Sequence, residues 1–232
     1  MPGPLVYLIW FVGILCDAAV VVCALRKRAF RRYVFLNLYM ASLVAVELGR
    51  LKILGQYGNP SVQYTYFYYY SDALLTILLY FALSSLYAKV FGELKAERYV
   101  RMGALLLLGG TALFTYAVVV QSSAKLVTNF VFSLSQNLYF VGLVLTYVLW
   151  GAILKLRETR AQLVQFVLSL GVYFSLFAAN YAIENLYPSL NFVAGPLVQV
   201  FGLFLPLAWA YAFWRLPEEA RLVPARLAVI PR

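Results

Sequence analysis

Asp17, Glu47, Asp72 and Glu184 have the most chemistry to offer, because each stands inside a long apolar run of this chain. An ionised side chain near the centre of a bilayer costs at least ~2.5 kcal/mol and must find a partner, water or a proton. Such residues bind cations, relay protons or lock helices together. Arg50 follows Glu47 at a spacing that shares one helical face, so the two are expected to pair. Unless Lys52 also reaches inward, the remaining acids then outnumber the deep cations. A carboxylate left in that position binds a cation or holds a proton.

Polar residues recur around these acids at helical spacing. Asn37, Met40, Val44 and Glu47 continue one face; Tyr68 or Tyr69, Asp72, Thr76 and Tyr80 form another. Further along come Asn129, Ser133 and Gln136 or Asn137, and then Gln165, Ser169, Tyr173, Asn180 and Glu184. Gln199 is flanked by Gly195, Pro196, Gly202 and Pro206, a pattern of kinked or closely packed helix. The candidate ligand-binding set is Glu47, Arg50, Tyr69, Asp72, Thr76, Asn129, Ser133, Gln136, Tyr173, Asn180, Glu184 and Gln199. Asp17 is set apart, past the middle of its run, where it would snorkel toward Arg26 to Arg28, pair with Asn37 or serve a proton relay. Against a binding site stands a plainer use of the same groups, as interhelical hydrogen bonds worth ~0.6 kcal/mol each.

The elements that must carry these residues follow from composition. Of 232 residues, 64% are apolar and 12% charged, against about half and a quarter in an ordinary soluble chain. Seven apolar runs stand out, at about 5–25, 33–55, 62–90, 102–120, 128–154, 161–186 and 192–214. At about 20 residues per crossing, seven spans use roughly 140 positions and leave roughly 92 for everything else. No separate soluble domain fits there. The fold expected is all-α, one domain over 1–232: a bundle of seven transmembrane helices with a short basic tail over 215–232. The third and fifth runs are long enough to tilt or project. The connections are short, so consecutive helices should be antiparallel neighbours. The first run has no basic segment before it and no small-residue cleavage site after it, and is expected to be a retained helix. Gly109 and Gly110 are expected to allow close helix packing.

Orientation comes from charge. Sixteen of the 19 Lys and Arg lie on one alternate set of connections plus the tail, among them Arg26, Lys27, Arg28, Arg31, Arg32, Lys89, Lys155, Arg160 and Arg215. The positive-inside rule makes that set cytoplasmic and puts the N-terminus outside. The net charge of +10 is then a topology signal and an attraction to anionic inner-leaflet lipid, with no need of nucleic acid. Six tyrosines from Tyr57 to Tyr70 mark where the second and third spans meet the outer surface, as an aromatic belt or as hydroxyls lining an outer pocket.

Several chemistries are excluded. There is no histidine, so His-ligated haem, the usual zinc centres and Ser-His or Cys-His catalysis fall away. Cys16 and Cys23 lie about 10 Å apart along a helix, too far to bridge. Residues 192–214 hold no lysine for a retinal Schiff base, and the Gly-x-Gly-Asp motif of intramembrane aspartyl proteases is absent. No cofactor or metal is implied. The expectation is a non-enzymatic membrane protein with an outward-facing polar pocket, a receptor or sensor, or a small-solute carrier, taking a small molecule from outside. A non-catalytic subunit of a larger membrane complex, with a membrane-protein partner, is the first alternative. A carboxylate-dependent lipid enzyme, using two acids as general acid and base, is the second. A plasma membrane, bacterial by the compact size, is the expected location.

Overall fold

The computed structural model describes residues 4–58, 61–92, 97–120, 126–156, 160–187 and 191–217. They form seven helices: α1 (Pro4–Arg26), α2 (Val34–Tyr57), α3 (Val62–Val90), α4 (Glu97–Val120), α5 (Leu126–Leu156), α6 (Ala161–Leu186) and α7 (Asn191–Arg215). No strand occurs among the described residues. The helix ends fall within a few residues of the apolar runs, except that α4 begins earlier, at Glu97. Long apolar runs become helices in a bilayer because only a helix satisfies each backbone N–H and C=O within its own segment. Five helices are long and apolar enough to cross a membrane: Tyr7–Arg26 in α1, Val34–Tyr57, Val62–Val90, Ser133–Leu156 in α5 and Ala161–Ile183 in α6. The shorter apolar stretches Met102–Ala117 and Val200–Arg215 belong to α4 and α7. The protein is a multi-pass helical membrane bundle.

Local chemistry sets the helix ends. Ser61 caps α3, its Oγ accepting from the Tyr64 N–H at 3.2 Å. Gly58 closes α2 with φ 73°, a conformation that suits glycine, and donates its N–H to the Leu54 carbonyl at 2.9 Å. At the end of α1, Ala29 N–H bonds back to Ala24 O and Arg28 N–H to Leu25 O. This is a Schellman cap with Arg28, at φ 54°, in the left-handed position.

Six helices make a closed ring. α1 packs on α2, α2 on α3, α3 on α5, α5 on α6, α6 on α7, and α7 returns to α1. α3 also touches α6 across the ring, while α4 lies outside it against α3 and α5. Tyr80 Oη donates to the Ala104 carbonyl at 2.9 Å and Asn137 Nδ2 to Thr115 Oγ1 at 2.9 Å, tying α4 down. Its other faces carry exposed Leu105, Leu106, Leu113 and Phe114, surfaces made for lipid.

The tightest helix contacts are at glycines other than the pair expected. A Cβ on Gly142 would stand 2.5 Å from the ring of Phe174, and one on Gly49 2.7 Å from Phe67, so these two let α5 meet α6 and α2 meet α3. Gly109 and Gly110 are exposed, with nothing within 4 Å of a Cβ. That expectation is corrected: their side of α4 faces away from the bundle.

The core is aromatic and aliphatic, and densest toward the end where α1 finishes. Tyr33 packs edge to face on Phe166 and Phe213, and Trp209 packs edge to face on Tyr39 and Phe166. Trp209 Nε1 finds its partner in Ser169 Oγ at 2.9 Å. Leu36, Leu79, Leu83 and Leu86 fill the space between, with no solvent exposure.

Candidate functional site

Above this packed end the ring opens into a cavity of about 250 Å³, to which every helix but α4 contributes. α1 presents Trp10, Gly13, Ile14 and Asp17, at the i, i+3, i+4, i+7 spacing of one helical face. α2 supplies Tyr39, Met40, Leu43, Glu47 and Arg50, and α3 supplies Tyr64, Tyr68, Asp72 and Leu75, again along single faces. Tyr139 of α5, Tyr173 and Phe177 of α6, and Gly202 and Pro206 of α7 complete the wall. Pro206 has no N–H to give the Gly202 carbonyl one turn earlier, so α7 lines the cavity where its own hydrogen-bond ladder is interrupted.

The charges here are unequal in their partners. Arg50, 8% exposed, is held from every side. Its Nη1 donates to Glu47 Oε1 at 2.8 Å, Nε and Nη2 to Ser71 Oγ at 3.3 and 3.1 Å, and Nη2 to the Tyr68 carbonyl at 3.4 Å. The guanidinium also lies 4.4 Å from the centroid of the Tyr68 ring. Glu47 is doubly engaged, because the Trp10 indole N–H donates to its other carboxylate oxygen and ties α1 to α2. Glu47 and Arg50 are thus a closed, mutually neutralising pair.

Asp17 and Asp72 are outside that pair. Asp17 is only 5% exposed, lines the cavity, and receives no hydrogen bond or ion pair from any described residue. Asp72 lies near Arg50 and the Ser135 hydroxyl, and its own carbonyl accepts from Thr76 Oγ1 at 2.8 Å. Tyr39, Tyr139 and Tyr173 line the same cavity, all 6% exposed or less, with the hydroxyls of Tyr39 and Tyr139 near that of Tyr173. Seven of the lining side chains are aromatic: Trp10, Tyr39, Tyr64, Tyr68, Tyr139, Tyr173 and Phe177. Carboxylates in excess, inside aromatic walls, are the ingredients of a site for an organic cation.

The structure brings together only part of the set expected from sequence. Glu47, Arg50, Asp72 and Tyr173 share the cavity. Tyr68 stands at the wall in place of Tyr69, which is half-buried and not among the lining residues. Thr76, Ser133, Gln136 and Asn180 do not line it; Thr76 and Asn180 are buried among the helices instead. The side chains of Asn129, Glu184 and Gln199 lie outside the described residues, as do Lys125 and the tail from 218 on. Lys52 is exposed rather than directed inward. The separation of Asp17 from the site is corrected: it lines the same cavity, and Asn37 spends its amide N–H groups on the carbonyls of Tyr33 and Phe30, at 2.9 and 3.4 Å. Tyr39, Tyr139 and Trp10 were also missed. For Trp10 and Asp17 a signal existed in their shared face; for Tyr139 the cavity is set by packing between distant helices, which spacing does not carry.

Among the described residues there is no cluster of three metal-binding side chains. No family model, no curated protein and no solved structure matches the chain.

Proposed function

We propose that the protein is a receptor or small-solute carrier of a plasma-type membrane, bacterial in the simplest case, whose ligand is a small organic cation taken from the outer side. The observation that carries this reading is Asp17, a buried carboxylate with no hydrogen bond or ion pair among the described residues, facing a cavity that also holds Asp72 and seven aromatic rings. An amine would pair with the acids, where weak screening strengthens the attraction, while each well-placed ring adds about 0.5–2 kcal/mol. The cavity's 250 Å³ suits a small molecule, below the range of roughly 300–1,000 Å³ for drug-sized ligands. Arg50, being spent on Glu47, Ser71 and Tyr68, is not available to an anionic ligand. Tyr39 at the wall packs on Trp209, which packs on Phe166; a receptor can keep that packing, whereas a carrier requires it to part.

Gly202 provides the test, because it lines the cavity and a Cβ there meets nothing within 4 Å. Gly202→Cys, made with Cys16→Ala and Cys23→Ala, is treated from the outer face with a trimethylammonium and a sulfonate methanethiosulfonate reagent. The expected preference for the cationic reagent is at least tenfold after normalising to a free thiol. It should collapse when Asp17→Asn and Asp72→Asn are added. Protection from both reagents, or no preference by charge, would refute the reading.

A further inference from the structure

The opposite end of the bundle has a second cavity, of about 230 Å³, between the residues just after α1, the end of α7 and the first turn of α6. Lys27, Arg215, Trp214, Gln162 and Ala29 line it, and no acidic residue among the described residues does. Lys27 Nζ stands 5.7 Å from the centroid of the Trp214 ring, and neither Lys27 nor Arg215 meets a carboxylate among the described residues. Gln162, 5% exposed, donates from Nε2 to the Ala212 carbonyl at 3.3 Å and braces α6 against α7. Two cations with no carboxylate partner among the described residues therefore stand beside one braced concavity. An anion in the concavity would meet both.

Depth identifies which anion. The apolar stretch of α1 ends at Arg26 and that of α7 at Arg215, so the cavity sits where the hydrocarbon gives way to headgroups. Trp214, 53% exposed, faces outward beside it, in the position interfacial tryptophans take against lipid. Arg26, Arg28, Arg31 and Arg32 surround the same end with further positive charge. A phosphate diester there is reached by the forked guanidinium of Arg215 and the ammonium of Lys27, while its acyl chains run down the outer surface past Trp214. We propose that this cavity binds the phosphate of an anionic phospholipid, one molecule at a defined place rather than a diffuse cloud. The inference does not depend on the ligand assigned to the larger cavity.

Native mass spectrometry of the full chain, released from nanodiscs of mixed phosphatidylglycerol and phosphatidylcholine, tests it. The expected result is one retained phosphatidylglycerol per chain, with retention reduced at least tenfold in Lys27→Gln/Arg215→Gln and restored in Lys27→Arg/Arg215→Lys. Ala29→Asp, which adds a carboxylate without removing a cation, should reduce it similarly. Arg31→Gln/Lys155→Gln removes equal charge from the same end outside the cavity and should stay within twofold. Thermal unfolding run alongside keeps a misfolded variant from counting as lost binding. Equal losses in both charge pairs, no loss in either, or displacement of the lipid by 10 mM inorganic phosphate would each overturn the proposal.

Discussion

Arg50 and Asp17 are both buried charges, yet their surroundings give them opposite consequences when removed. Arg50 satisfies Glu47, Ser71 and the Tyr68 carbonyl together, so Arg50→Leu strips the half-buried Glu47 carboxylate of its counter-charge, leaving it only the Trp10 indole N–H, and leaves the Ser71 hydroxyl without its guanidinium donor. Breaking one side of a buried pair costs about 3–5 kcal/mol, and a clear fall in the midpoint of thermal unfolding in detergent is expected. Asp17 satisfies no described residue. Asp17→Asn should hold or raise that midpoint, since no described hydrogen bond or ion pair is lost, while it weakens the cation preference of the Gly202→Cys reporter. A drop of several degrees in Asp17→Asn would make it structural glue and remove the main support for the binding reading. The pairing of Glu47 with Arg50 was legible from their spacing alone, because both partners sit on one helix. The isolation of Asp17 from any cation was not, because it is decided by which side chains the neighbouring helices turn toward it.

At the scale of elements, the same limit separates helix existence from helix packing. Seven helices follow from seven apolar runs, and their ends follow from local devices such as the Ser61 cap and Gly58. Which glycine brings two helices together does not. Gly142 and Gly109 look equivalent in sequence, each in the midst of an apolar helix, but only Gly142 faces a ring fixed by its surroundings, Phe174 at 1% exposure. Gly142→Ala therefore forces Phe174 or the α5 backbone to move, an overpacking cost of about 1–3 kcal/mol. Gly109→Ala and Gly110→Ala meet open space and should each stabilise α4 by up to about 1 kcal/mol through helix propensity. Thermal unfolding of the three single variants decides it; a Gly142→Ala protein as stable as the parent would mean that the α5 and α6 contact is looser than its geometry.

At the scale of the molecule, the two cavities lie toward opposite ends of the bundle, and the charge distribution predicts which bilayer face each meets. The larger one opens among helix halves that begin with α1 and include the start of α3; the smaller one lies at the basic end, where α1 and α7 finish. Moving these cations across a membrane is what insertion resists, so Gln56 at the end of α2 is expected outside and Arg31 in the first connection inside. In a Cys16→Ala, Cys23→Ala background, a membrane-impermeant maleimide should label Gln56→Cys in intact cells. It should label Arg31→Cys only after permeabilisation. Both positions are exposed in the structure, so failure to react reports the membrane and not burial. The inverse pattern would turn the acidic, aromatic cavity toward the cytoplasm, making its cation an internal solute, and would move the basic headgroup cavity to the outer leaflet. Neither site would lose its chemistry, because the carboxylates, the rings and the paired cations stay where the helices hold them; what would change is the compartment from which each is supplied.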